Sequence, residues 1–194
     1  MDRFSTLVTG PAAAIVTATE VKNQTRIDFA DDDTLIATLI QAATDQLDAE
    51  HGVLGRALIN QTWRLNIHGR EALGDYIELP FLPVSSVTEV KYIDVDGAEQ
   101  TFAASNYRLV AYGQSARLEL VSGATWPGRD DRLVGMWVDY VAGYGATSAS
   151  IPDAIRVAAL KMIAHWYDNR GAMVSKQYPD SLGVSLLLQP FYKR

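Results

Sequence analysis

Apolar residues recur at spacings of three and four near both ends of the chain, and at every second position in between. The clearest helical stretch is Ile151–Arg170, IPDAIRVAALKMIAHWYDNR. On a helical wheel Ile151, Ile155, Ala158, Ala159, Met162, Ile163 and Trp166 share one broad face. Val157, Leu160, Ala164 and Tyr167 form a second, narrower seam. Pro152 suits a first turn, where its missing N–H costs nothing. Asp153 and Arg170 match the helix dipole, and Gly171 is a stop. A surface helix needs one apolar stripe. The second seam needs a second partner, either another copy of the chain or the chain's own N-terminal helix.

Leu35, Ile36, Leu39, Ile40, Ala43 and Leu47 predict a second helix over Thr34–Ala49, with Gly52 as its stop. In Asp31–Asp33 one carboxylate is expected to cap this helix while the others favour its dipole. Thr17-x-x-Glu20 matches a capping box and predicts a short helix over Ala18–Ile27. From Asn60 the period becomes two. Trp63, Leu65 and Ile67 alternate with polar residues in a strand ending at Gly69. Further strands are expected at Tyr76–Leu79, Ser86–Val95, Glu99–Phe102, Tyr107–Ala111, Ala116–Val121 and Leu133–Val141. Asp96-Gly97 is a hairpin signal.

The fold class this order predicts is α+β. N-terminal and C-terminal helices pack together, with an antiparallel β-sheet or small β-sandwich inserted between them. The expected organisation is an extended N-terminal arm (1–16), an α+β domain (17–175) and a C-terminal tail (176–194). The domain carries helices at 18–27, 34–49 and 152–170 and a β-rich insert at 60–142. In the tail Leu182–Leu188 reads as a short helix. Leu186, Leu187, Leu188, Phe191 and Tyr192 make the chain end unusually apolar. Such a tail either docks on a partner or packs on its own domain.

Composition narrows the chemistry. The 194 residues include no cysteine, which excludes disulfides, thiolate metal sites and cysteine nucleophiles. Acidic residues number 23 against 17 basic, a net charge of −6, and no run of Lys or Arg opposes it. A general nucleic-acid-binding surface is disfavoured. No apolar run is long enough for a membrane span. The N-terminal apolar segment is interrupted by Thr9, Gly10 and Pro11, so no cleaved signal is expected and synthesis in the cytoplasm is the default.

No phosphate-binding glycine loop, paired-histidine zinc helix or nucleophile elbow is present. His165 and Asp168 lie three apart on the long helix, where a surface hydrogen bond is the simpler reading than a hydrolase pair. Asp94–Glu99 is too short for a calcium loop and is explained by its hairpin turn. Trp126, in the loop Trp126–Arg132, carries the main rival function, a β-rich carbohydrate- or peptide-binding module. The simpler reading is a tucked loop tryptophan. No catalytic residue, cofactor or metal ligand is assigned.

Taken together and in order, the segments GRALINQTW, ELPFLPVSSVTEVKYIDVDG, TWPGRDDR, VDYVAGYG, IPDAIRVAALKMIAHWYDNR and LGVSLLLQPFYKR resemble the head–tail connector (adaptor) proteins of tailed bacteriophages and gene transfer agents. The resemblance covers about residues 20–194. It implies a structural virion protein of the neck, not an enzyme, made in the host cytoplasm. It further implies a homo-oligomeric ring, typically of twelve subunits, that sits below the portal protein and extends the DNA channel. Such a ring carries the next neck or tail protein, and DNA passes without specific binding. On this resemblance the second seam, Val157, Leu160, Ala164 and Tyr167, is the candidate subunit interface. Leu186, Leu187, Leu188, Phe191 and Tyr192 are the candidate portal-docking tail. Deleting Leu182–Arg194 is then expected to weaken portal attachment and leave the domain folded.

Overall fold

The capping box sets the first helix. In the structure, a computed structural model describing residues 3–131, 133–170 and 183–192, α1 spans Ala18–Thr25. Thr17 accepts the Glu20 backbone N–H on its hydroxyl (3.2 Å), and the Glu20 carboxylate accepts the Thr17 backbone N–H (2.7 Å). Those bonds, the Thr17 N–H first, hold the Glu20 carboxyl below its usual pKa. Val16 and Val21, the staple positions on either side, are buried.

The chain divides into two units, residues 11–59 with 144–194 and residues 1–10 with 60–143. The first is helical. α2 (Asp33–Leu47) buries Ile36, Ile40, Ala43 and Leu47. α3 (Asp153–Asp168) buries Ile155, Ala158, Ala159, Met162 and Ile163, the broad face the sequence predicts. α3 packs against α1, α2 and a short α4 (Val184–Leu188). The N- and C-terminal helices thus share one core, as expected.

Two local expectations change. α2 ends before Ala49 because Asp48 turns to an extended conformation and its carboxylate accepts the Leu58 N–H (2.7 Å). Gly52 is therefore not the helix cap. It lies against the end of α2, where a Cβ would fall 2.3 Å from the Leu47 carbonyl carbon. Asp32 occupies the N-cap position but makes no side-chain cap bond, because it faces α3 instead.

The second unit holds two antiparallel sheets. The first has the order β1-β2-β8-β4-β5, from β1 (Arg3–Thr9), β2 (Gln61–Ile67), β4 (Val84–Ile93), β5 (Glu99–Thr101) and β8 (Met136–Ala142). The second has the order β3-β7-β6, from β3 (Tyr76–Glu78), β6 (Tyr107–Tyr112) and β7 (Ser115–Leu120). All seven expected strands form, and each end lies within a few residues of its expected position. β1 is an addition. The segment read as an extended arm is extended, but it pairs with β2 from Arg3↔Ile67 to Thr9↔Thr62, and the Arg3 guanidinium contacts Glu71 at 2.6 Å.

Alternation works as predicted in β2. Trp63, Leu65 and Ile67 are buried, and their partners on β8 are Tyr140, Val138 and Met136. The opposite face pairs Arg64 with Asp139. The turn before β5 is held by Asp94, which accepts the backbone N–H of Asp96 (3.0 Å) and Ala98 (2.9 Å) and the Gln100 side chain (3.0 Å). These donors, Ala98 first, lower the Asp94 pKa and occupy its carboxylate, as the hairpin reading requires.

Candidate functional site

The second seam of α3 splits by residue. Val157 is 41% exposed. Leu160 and Tyr167 are half-buried against the chain's own helical core, and Ala164 is half-buried. Tyr167 is further tied down by its hydroxyl, which donates to the Asp32 carboxylate. Arg170 stacks over the Tyr167 ring at 4.3 Å and bonds the same carboxylate at 2.6 Å. The end of α3 is thereby tied to the start of α2. Among these four residues Val157 is the most open to a neighbour.

This cluster titrates. The Tyr167 hydroxyl, then Arg170, holds the Asp32 carboxyl below its usual value of 3.8. A depressed carboxyl adds stability above its unfolded pKa and loses it as pH falls through the folded one. Asp32→Asn should therefore flatten the fall in helical-unit stability below about pH 4. Urea titration read by Trp166 fluorescence tests this. An unchanged slope of stability against pH in the variant contradicts it.

The tail also divides. Val184 and Leu188 are buried, with Leu188 3% exposed. Leu187, Phe191 and Tyr192 are half-buried against the same core, and Arg56 donates to the Phe191 carbonyl at 2.7 Å. Leu186, at 75% exposed, points away. A dent of about 100 Å³ lies beside α4, lined by Gln46, Leu47, Val53, Met162, Val184, Leu188 and Tyr192. Leu182 and the last two residues, 193 and 194, lie outside the described residues.

Other chemical candidates are engaged structurally. His165 Nδ1 lies 3.3 Å from the Asn169 side-chain amide. Trp126 donates its indole N–H to the Gly74 carbonyl (2.7 Å) and packs on Phe102 with ring centroids 5.5 Å apart. A tryptophan held by its N–H and one face is a tucked loop residue, not an open sugar platform. Among the described residues no group of three or more His, Asp or Glu side chains is placed to hold a metal ion. No described helix is long and apolar enough to cross a membrane.

One surface feature was absent from the sequence reading. On the open face of the three-stranded sheet, the Arg117 guanidinium lies 4.9 Å from the Tyr76 ring centroid and 5.7 Å from that of Tyr112. It also donates to the Tyr112 hydroxyl at 2.7 Å. Both tyrosines are exposed, at 47% and 61%. The register puts Glu78 directly across from Arg117, yet among the described residues no carboxylate is within ion-pair distance of that guanidinium. Strand alternation puts Arg117 on the polar face, since Ala116 and Leu118 beside it are buried. Only the register, however, brings Tyr76, 41 positions away, to the same place.

The head completion protein family model matches residues 14–178. The fold is similar to a chain in the virion of a native gene transfer agent particle (TM-score 0.78, 25% identity, 98% of this chain and 96% of that one). It is similar to a chain in the neck of an empty gene transfer agent particle computed with C6 symmetry (TM-score 0.77, 25% identity, the same coverage). A chain in the neck of a native particle computed with C12 symmetry shares the fold at TM-score 0.69 and 24% identity, again over 98% and 96% of the two chains. No curated protein matches this sequence.

Proposed function

The chain belongs to the head completion protein family, and we propose from that membership that it closes the head of a tailed-phage-like particle as a ring in the neck. The observation that carries this reading is the likeness over nearly the full length to chains of a particle neck and virion. A neck with sixfold symmetry supports a ring, and twelve copies satisfy that symmetry. In such a closed ring each contact joins two different faces of the subunit. Val157 supplies an apolar residue for that contact beside the half-buried Leu160, Ala164 and Tyr167. The outward face of the tail, with Leu186 at its centre and Leu187, Phe191 and Tyr192 beside it, faces the portal. Leu188 supports it from the core. The ring extends the DNA channel and carries the next neck component. A net charge of −6 favours DNA sliding past over DNA held.

Electron microscopy of the chain mixed with its portal protein tests the assembly. The expected result is a ring of added density on the portal, lost or broken into arcs in Val157→Asp. A portal without added density, together with no binding in solution, overturns the proposal.

A further inference from the structure

We propose that neighbouring copies in the ring are also joined strand to strand, the free edge of β1 in one copy pairing with the free edge of β6 in the next. This joint rests on the ring reading and deepens it. It supplies the two different faces that a head-to-tail contact needs, both within the strand-rich unit.

A strand at a sheet edge turns a row of N–H and C=O groups away from its sheet. Proteins usually guard that row with short strands, lysine, proline or bulges. The four edges here are not guarded alike. β3 and β5 have three residues each. β1 has seven and β6 has six, neither contains Lys or Pro, and their only strand partners are β2 and β7. The one irregularity of β1 falls near its end, between Leu7 and Thr9. Among the described residues no backbone bond from any other segment reaches either strand. Phe4, Leu7 and Val8 on β1 are each at least 42% exposed. Phe4 and Leu7 stand on opposite faces of the strand, so a strand laid alongside meets apolar side chains on both. Backbone and side chains alike then favour β-strand addition.

Position and charge name the occupant. β1 is separated from β4 by β2 and β8, about 14 Å at the usual strand spacing. β6 lies beside β4, and its Tyr107 ring stacks on Phe102 at 6.0 Å, while the Phe102 N–H donates to Val90 of β4 at 2.8 Å. The two long edges therefore sit toward opposite ends of the unit, where rotation about a ring axis brings one copy's β1 against the next copy's β6. Pairing β1 with β1 would instead be a two-fold contact, which does not propagate around a ring. Neither edge carries an unmatched charge, since Arg3 is held by Glu71 at 2.6 Å and Arg108 by Glu119 at 3.0 Å. One joint per subunit removes both long edges from every copy.

Thiol cross-linking in assembled particles tests this joint, because the chain has no cysteine of its own. Leu7→Cys and Ala111→Cys, both at exposed positions, are combined in one chain and treated with a bismaleimide of about 10 Å, a reach of three strand residues in either direction. The expected product is a ladder of covalent multimers of this chain on a denaturing gel, with each single variant remaining monomeric. A dimer from Leu7→Cys alone overturns the proposal in favour of β1–β1 pairing. A product joining Leu7→Cys to a different particle protein overturns it in favour of a foreign strand on that edge. Particles that show the ring by electron microscopy but give no ladder overturn the joint and leave the ring reading standing. Parental particles without a ring overturn the ring reading itself.

Discussion

Arg64→Ala will destabilise the strand-rich unit by about 3 kcal/mol. The register places Arg64 on β2 opposite Asp139 on β8, and the guanidinium grips both carboxylate oxygens at 2.7 Å. Asp139 is buried, and its neighbour on the other side, β4, sets Glu89 opposite it. Removing the arginine therefore leaves a desolvated carboxylate facing a second one. Breaking a buried ion pair from one side costs about 3–5 kcal/mol, and the partial exposure of Arg64 puts this pair at the lower end. Arg64→Lys keeps a charge but loses the two-point grip and the contact 5.3 Å above the Trp137 ring, so its loss is intermediate. The pair Arg64→Met with Asp139→Leu recovers most of the stability, because no charge is then stranded. Denaturant titration read by Trp63 and Trp137 fluorescence measures all three. An Arg64→Ala protein within about 0.5 kcal/mol of the parent would show that the pair holds nothing in place.

That pair also shows where sequence reading reaches its limit. Helix faces and strand alternation are local, so Ile155, Met162, Trp63 and Ile67 could be assigned inward from their spacing alone. Partners set by register are not local. Arg64 and Asp139 lie 75 positions apart, and nothing near either residue names the other. β1 was missed for the same reason. Arg3–Thr9 lacks clean alternation, and its identity as a strand depends on β2, far along the chain. Spacing offers one carboxylate of Asp31–Asp33 as a cap because capping is the local option, whereas Asp32, at the N-cap position, is recruited by Tyr167 and Arg170 from a different helix. The resemblance to neck proteins could be read despite this, because it depends on the order of many segments and not on any one pair. The cluster of Tyr76, Arg117 and Tyr112 could not, since it exists only once β3 and β6 flank β7.

The tail is where the two kinds of information meet, and it yields the second large effect. The resemblance to neck proteins makes the five apolar residues near the C-terminus one docking surface whose removal leaves the domain folded, while the residues alone offer packing on the chain's own domain equally. The structure divides them, because α4 turns Val184 and Leu188 inward and Leu186 outward. Deleting the tail would uncover Leu47 and Met162 at the dent beside α4, so it should cost stability as well as attachment. Point changes separate the two roles. Leu188→Ala removes buried methyl groups at a cost of about 2 kcal/mol, the low end for such sites because the dent is already partly open. The loss should appear as undocking of α4 before global unfolding, since a short terminal helix opens as its own unit. Protease cleavage within the tail should then rise by about 30-fold, the ratio that 2 kcal/mol gives when opening is fast. Leu186→Ala buries nothing less and should leave cleavage unchanged, while binding to the portal weakens at least about tenfold for a side chain lost from a packed contact. Limited proteolysis and portal co-sedimentation of the two variants measure both quantities. If Leu186→Ala binds the portal as the parent does, the tail's apolar character serves the core alone. If both variants cleave at the parental rate, α4 is not held by Leu188, and the split between its two faces is wrong.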